Sequence, residues 1–201
     1  NDNSNYLYWE NKNVTNDEID ILAFLNSKKN KKKLTVLHIG IGNSFLASKL
    51  NNFNEIIGIT ISQNEIKYAS TKNIVNYKYF FLNKYKANSL DIFENKKFDI
   101  IIDTNIKSFS CCDKAFNNLF KQYVNSLSHS GYIISHINGL KWSRIVRPKL
   151  SFSLKNFFYK RLKEYDGPLN NKLGISDCKI LARENNLKLD LDNTNLVIFK
   201  K

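Results

Sequence analysis

At 201 residues and 42% hydrophobic content the chain can build one domain with a real core, which excludes a disordered polypeptide and a miniprotein held together by disulfides. Lys and Arg number 31 against 18 Asp and Glu, a net charge of +13 that favours anionic partners (phosphates, nucleic acid, acidic lipid surfaces or acidic small molecules) without choosing among them. With 7 Gly, 2 Pro, no Met and abundant Asn, Lys and Ile, the composition also points to a gene rich in A and T, so part of the Lys excess reflects codon usage.

Residues 1–30 read as an N-terminal helical cap. An aromatic cluster, Tyr6, Tyr8 and Trp9, precedes the capping box Thr15-Asn16-Asp17-Glu18, and Ile19, Ile21, Leu22 and Leu25 give the following helix an apolar face. A solvated lysine run, residues 28–33, leads to Leu34-Thr35-Val36-Leu37-His38-Ile39, apolar at nearly every position as in a strand buried on both sides. Gly40-Ile41-Gly42-Asn43-Ser44 forms a tight turn into a helix from Phe45 to Leu50. The alternation repeats: a strand at Glu55–Ile61, a second capping box at Ser62-Gln63-Asn64-Glu65 opening a helix to Lys72, a strand at Tyr77–Leu82, and a central strand at Phe98–Asp103. A helix from Asp113 to Leu127, capped near His129, precedes a strand at Tyr132–Ile137. A helix at Ser176–Asn186 and a hairpin of Leu187–Leu191 with Leu196–Phe199 close the chain. This order implies an α/β doubly wound sheet.

The three cysteines, Cys111, Cys112 and Cys178, show no C-x-x-C spacing, so neither structural zinc nor thioredoxin-like chemistry is expected, and a reduced, cytoplasmic compartment is. Cys111 and Cys112 read as small apolar packing at a helix start. No apolar run approaches bilayer length, and the polar start Asn1-Asp2-Asn3-Ser4-Asn5 is no signal peptide, although the chain opens without Met and leaves room for a segment ahead of it.

In a doubly wound sheet, ligands bind outside the carboxyl ends of the strands where strand order reverses. Gly40 and Gly42, at G-x-G spacing after a buried strand and before a helix, let the backbone approach a ligand closely. A nicotinamide site fits poorly, since Phe45 occupies the third glycine position of G-x-x-G and Thr60-Ile61-Ser62 supplies neither acid nor Arg after the second strand. With its second strand ending Gly58-Ile59-Thr60-Ile61-Ser62, the chain resembles the class I S-adenosylmethionine-dependent methyltransferases. Their first strand ends in an acid followed by G-x-G-x-G, and their sheet closes with an antiparallel hairpin. The likeness in strand order runs from Leu34 to Lys201, and the motif-level likeness is limited to the first two strand ends. The second is similar to the cyclopropane fatty acid synthase branch, which has Thr where many relatives carry an acid, and Gln where this chain has Glu65. His38, Ser44 and Thr60 depart from the usual motif acid, third glycine and ribose-binding acid.

The resemblance implies a single methyltransferase-like domain over residues 1–201, with a mostly parallel, seven-stranded, Rossmann-like sheet. It implies S-adenosylmethionine as cofactor, S-adenosylhomocysteine as product, and methyl transfer to a small acceptor, anionic metabolites included. By the same resemblance Gly40, Gly42, Asn43 and Ser44 approach the methionine and ribose, with His38 nearby. Thr60, Ile61 and Glu65 hold the ribose and adenine, Asn83 reads the adenine edge, and Asp103 faces the sulfonium. Each has a plainer role open to it: a helix cap for Glu65, a core imidazole for His38, a loop cap for Asp103. On the acceptor side stand Tyr8, Asn105, His136 and Trp142, with His136 and Asp103 as the catalytic candidates. An in-line displacement from a sulfonium needs positioning more than a base, so His136 also reads as a loop-orienting residue.

Residues 141–172 read as an insertion after the fifth strand. Between Lys141 and Lys163 it interleaves Lys141, Arg144, Arg147, Lys149, Lys155, Lys160, Arg161 and Lys163 with Trp142, Phe152, Phe157, Phe158 and Tyr159. Nucleic acid, an anionic membrane surface, or plain packing with solvated charges each fits this pattern. No N-P-P-Y-type loop follows the fourth strand, where the chain reads Asp103-Thr104-Asn105-Ile106, and this argues against amino methylation of nucleobases or Gln. Two further readings remain: a nucleic-acid methyltransferase or binder, and a non-catalytic relative acting as a partner protein.

Overall fold

The computed structural model describes residues 12–27, 34–50, 55–94, 96–141, 171–191 and 195–201. The aromatic cluster Tyr6, Tyr8 and Trp9, and all but Lys141 of the basic stretch from Lys141 to Lys163, lie outside them.

Helix α1 (Asn16–Ser27) begins where its capping box directs: the Glu18 carboxylate accepts from the Thr15 backbone N–H at 3.0 Å and from the Thr15 hydroxyl at 3.0 Å. Strand β1 (Thr35–Ile39), helix α2 (Phe45–Lys49), strand β2 (Glu55–Thr60), helix α3 (Gln63–Ser70) and strand β3 (Tyr77–Phe81) follow in strict alternation. A 3-10 turn (Ser89–Phe93) leads to β4 (Phe98–Ile102), α4 (Asp113–Ser126) and β5 (Leu127–His136). The short helix α5 (Ile137–Leu140), then α6 (Ile175–Glu184), β6 (Lys188–Leu191) and β7 (Leu196–Lys200), complete the chain.

The seven strands lie in the order β3-β2-β1-β4-β5-β7-β6, with β4 at the centre as its apolar sequence implies. Strands β1 to β5 pair in parallel, and β7 runs antiparallel to both β5 and β6. The expected terminal hairpin is therefore present, and strand order reverses between β1 and β4.

Parallel strands joined by helical crossovers are covered on both faces, so their side chains alternate between two cores. Leu37 and Ile39 of β1, with Ile101, Ile133, Val197 and Phe199, meet Phe116, Leu119, Phe120 and Tyr123 of α4. Val36, Ile100, Ile102, Ile134, Leu196 and Ile198 meet Ile21, Phe24 and Leu25 of α1 and Leu46 and Ala47 of α2. Phe120 and Phe199 touch edge to face at 5.1 Å between ring centroids, tying α4 to the hairpin.

The expected elements differ from the observed ones mainly at their ends. Strand β5 starts at Leu127, five residues before the expected Tyr132, and takes in His129, an exposed strand residue rather than a helix cap. Leu127 pairs with Phe98 across a register shift, which lets this strand follow α4 directly. Cys111 and Cys112 are exposed, not packed. Among the described residues no helix is long and apolar enough to cross a membrane.

Phe120→Ala should cost about 3–5 kcal/mol, because its wholly buried ring fills the α4 core against Phe116 and Phe199. Urea unfolding followed by circular dichroism measures this.

Candidate active site

The reversal of strand order places the ends of β1 and β4 side by side, and the turn after β1 is built to leave space there. Gly40 takes φ +72° and Gly42 φ +53°, a region that side chains disfavour, and Ser44 takes φ 59°. Among the described residues a Cβ added to Gly40 would meet nothing within 4 Å, so its backbone faces open space there. Its own N–H is anchored to the Ile59 carbonyl at 2.8 Å, which fixes the turn against β2. Gly58, within β2, has no such room: a Cβ there would lie 2.5 Å from Ile41 and 2.7 Å from the Tyr77 hydroxyl, so the turn packs onto a strand that must be bare at that point.

Glu65 closes the turn from below. Ser62 caps α3 through its hydroxyl, accepting from Glu65 N–H at 3.3 Å. The second half of the expected capping box is absent, because the Glu65 carboxylate instead accepts from Gly42 N–H at 3.0 Å. Burial pushes this carboxyl above the usual range, opposed by the Thr60 hydroxyl and the Gly42 N–H. Thr60 is buried with its hydroxyl accepting from Ser62 N–H at 3.0 Å, while Ile61 is 54% exposed at the rim. Asn43 braces the turn locally: its amide nitrogen donates to the Lys12 carbonyl and its oxygen accepts from Phe45 N–H. Ser44 is buried, and among the described residues its hydroxyl has no hydrogen-bond partner.

Asp103, at the end of β4, is buried and engaged. Its Oδ2 accepts from Lys84 Nζ at 2.7 Å and from the Tyr123 hydroxyl at 2.8 Å. Lys84 also donates to the carbonyls of Asn105 at 3.1 Å and Ile106 at 3.3 Å, so all three ammonium protons have acceptors. The next residue, Tyr85, donates its hydroxyl to the carbonyls of Ile106 and Ser108. Burial pulls the Lys84 ammonium down and the Asp103 carboxylate opposes it; burial pushes the Tyr123 phenol up. The loops after β3 and β4 are thus clasped together, and the Asp103 charge is spent inside the protein.

The two histidines at strand ends face α1. In His136, buried on β5, Nδ1 accepts from Asn138 N–H at 3.2 Å, so Nε2 carries the proton and donates to Asp20 at 3.1 Å. Both ring nitrogens are occupied and neither faces the crevice. His38 is buried, and among the described residues its Nδ1 has no partner; burial pulls its imidazole down to about 4, with Asp17 of α1 opposing. Asn83 is exposed, its side-chain oxygen accepting from Tyr85 N–H at 2.9 Å, and Asn105 contributes its carbonyl to Lys84. Tyr8 and Trp142 fall outside the described residues. The rim therefore brings together Gly40, Gly42, Asn43, Thr60, Ile61 and Glu65, while Asp103, His38 and His136 turn into the protein.

Sequence reasoning missed Lys84, Tyr85 and Tyr123, and the roles of Asp17 and Asp20. In a lysine-rich chain Lys84 carries no distinguishing signal, and its partner is 19 residues away. Among the described residues no group of three or more His, Cys, Asp or Glu is placed to hold a metal ion.

Lys84→Met should destabilise the protein by about 3–5 kcal/mol by leaving the Asp103 carboxylate buried and unpaired, and adding Asp103→Asn should recover part of that loss. Equilibrium urea unfolding of the double-mutant cycle measures the coupling. Because His38 binds a proton less readily when folded than when unfolded, stability should fall as pH drops from 6.5 toward 4, by roughly 3 kcal/mol for this group. His38→Gln should flatten the pH profile of urea unfolding in that window.

No protein-family model matches the chain, and no curated protein matches it in sequence. Solved structures do. Magnesium protoporphyrin IX methyltransferase from Synechocystis PCC 6803, with bound S-adenosylhomocysteine, aligns at TM-score 0.56 and 14% identity over 91% of this chain and 80% of its own. The N-methyltransferase NodS from Bradyrhizobium japonicum WM9, in complex with S-adenosylhomocysteine, aligns at 0.58 and 11% over 92% and 85%. A TehB-like S-adenosylmethionine-dependent methyltransferase from Corynebacterium glutamicum aligns at 0.58 and 12% over 97% and 92%. At such identities the likeness is one of architecture: the chain has the Rossmann-like fold of the class I methyltransferases.

Proposed function

We propose that this protein binds S-adenosylmethionine at the rim between β1 and β4 and transfers its methyl group to a small-molecule acceptor. The observation that carries this reading is the left-handed Gly40 turn with open space where a side chain would stand, located where strand order reverses. The solved structures that share the fold and hold S-adenosylhomocysteine support it.

In this reading Gly40, Gly42 and Asn43 lie along the methionine and ribose, and the exposed Ile61 side chain lies against the adenine. Thr60 and Glu65 offer oxygens to the ribose in place of a strand-end acid; Thr60 is similar to the second-strand motif of the cyclopropane fatty acid synthase branch, and Glu65 stands where that branch has Gln. Asn83 stands at the adenine edge and Asn105 on the acceptor side. When bound, the cofactor supplies an electrophilic methyl on a sulfonium. The chain's contribution is to orient it: Lys84, Tyr85 and Asp103 hold the β3 and β4 loops in register. With Asp103 and His136 occupied by internal bonds, positioning rather than proton abstraction drives the reaction.

The engagement of Glu65 and Asp103 inside the protein also supports a second reading, a non-catalytic relative that keeps the fold as a partner protein. Isothermal calorimetry separates the two. Binding of S-adenosylmethionine and S-adenosylhomocysteine by the protein, abolished in Gly40→Val, supports the cofactor site. No binding of either supports the partner protein, and retained binding in Gly40→Val moves the site elsewhere.

A further inference from the structure

The loop after β4 presents two thiols to solvent. Cys111 and Cys112 are both exposed, and their sulfurs are 3.5 Å apart. Cys112 occupies the residue before α4, a helix of 14 residues, in an extended conformation (φ −169°, ψ 167°). The backbone N–H groups of Ala115 and Lys114, at the start of that helix, draw the Cys112 thiol below its ordinary value, together with the neighbouring sulfur, while Asp113 opposes. The Cys111 thiol is raised, first by its contact with Cys112. The segment is held on either side: Ser110 donates its hydroxyl to the Cys112 carbonyl at 2.6 Å, Asn171 donates to the Ser110 carbonyl, and Lys107 pairs with Asp113 at 2.7 Å. The third thiol differs in kind. Cys178 is buried in the α6 core, and burial pushes it up to about 11.

A thiolate is the nucleophile in disulfide exchange, and its rate depends on access as well as on thiolate fraction. Two exposed sulfurs nearly in contact, one of them at a helix start, divide naturally into an attacking and a resolving partner. We propose that Cys111 and Cys112 form a reactive dithiol site that exchanges with small-molecule disulfides and, when these are in excess, closes reversibly to a disulfide between neighbouring residues. In the first step the Cys112 thiolate attacks one sulfur of the disulfide, forming a mixed disulfide and releasing one small thiolate. Cys111 gives its proton to the first released thiolate, then attacks the Cys112 sulfur and expels the second thiolate, which takes a proton from water. Two protein thiols are oxidised to one disulfide, and one small-molecule disulfide is reduced to two thiols. Adjacent α-carbons are about 3.8 Å apart, closer than the usual 4.4–6.8 Å of bridged cysteines. The closed form is therefore strained and readily reopened by thiols.

The site needs no methyl-transfer chemistry, so its test is independent of cofactor binding. The reduced protein is titrated with oxidised glutathione, quenched in acid and analysed by thiol counting and peptide mass mapping. Two of its three thiols should be lost without a retained adduct, yielding a peptide two hydrogen atoms lighter with Cys111 and Cys112 linked, restored by dithiothreitol. Cys111→Ser should accumulate a glutathione adduct on Cys112 that the unaltered protein resolves. Stable adducts on both cysteines, disulfide-linked dimers, or reaction of Cys178 at the same rate as the pair would each overturn the proposal.

Discussion

A buried carboxylate organises the rim of this protein. Asp103 leaves water at the end of the central strand, and the desolvation cost of its charge is met by an ammonium and a phenol delivered from two other elements. Lys84 arrives from the loop after β3 and Tyr123 from α4. Since Lys84 spends its remaining protons on the Asn105 and Ile106 carbonyls, the loop after β4 cannot shift without leaving a buried cation or carbonyl unsatisfied. One charge pair thereby sets the position of two loops at the edge of the crevice. Tyr85 reinforces it by holding the carbonyls of Ile106 and Ser108.

A second carboxylate does comparable work on the opposite side of the crevice. Glu65 reaches from the first turn of α3 into the glycine turn and accepts from Gly42 N–H, so the turn is braced by a side chain from the neighbouring crossover. The Gly40 turn is thus preorganised: its left-handed angles are maintained by Glu65, by Ile59 and by Asn43 before any ligand arrives. The N-terminal helix completes the frame. Asp20 lies over the end of β5, so α1 is seated by its hydrogen bond to His136 as well as by Ile21, Phe24 and Leu25, and the Asp17 charge of the same helix acts on His38.

This economy of charge shapes the proposed chemistry. With Asp103 paired to Lys84 and His136 bonded through both ring nitrogens, neither candidate base is open to the crevice. An in-line displacement tolerates that arrangement, because a preformed electrophile needs alignment more than proton transfer. Cys111 and Cys112 stand apart from this framework at the exposed start of α4, where chemistry of a different kind is available.

Much of the architecture was legible in the chain because its signals are local. Filled apolar strands such as Phe98–Ile102, the Thr15–Glu18 box and the glycines at 40 and 42 announce a doubly wound sheet and the turn at its rim. The partners of the polar side chains were not legible, since each is chosen by an element distant in sequence. Glu65 reads as the second half of a capping box yet bonds to a turn 23 residues earlier, and His136, which reads as a base or a loop-orienting residue, caps the next turn and also bonds to Asp20, 116 residues away. Periodicity and turn chemistry act within a few residues and determined the strands, helices and glycine turn. Burial, which makes a charge seek whatever partner the packing brings near, is a property of the assembled sheet, and only the tertiary structure decided which carboxylates and imidazoles are spent holding it together.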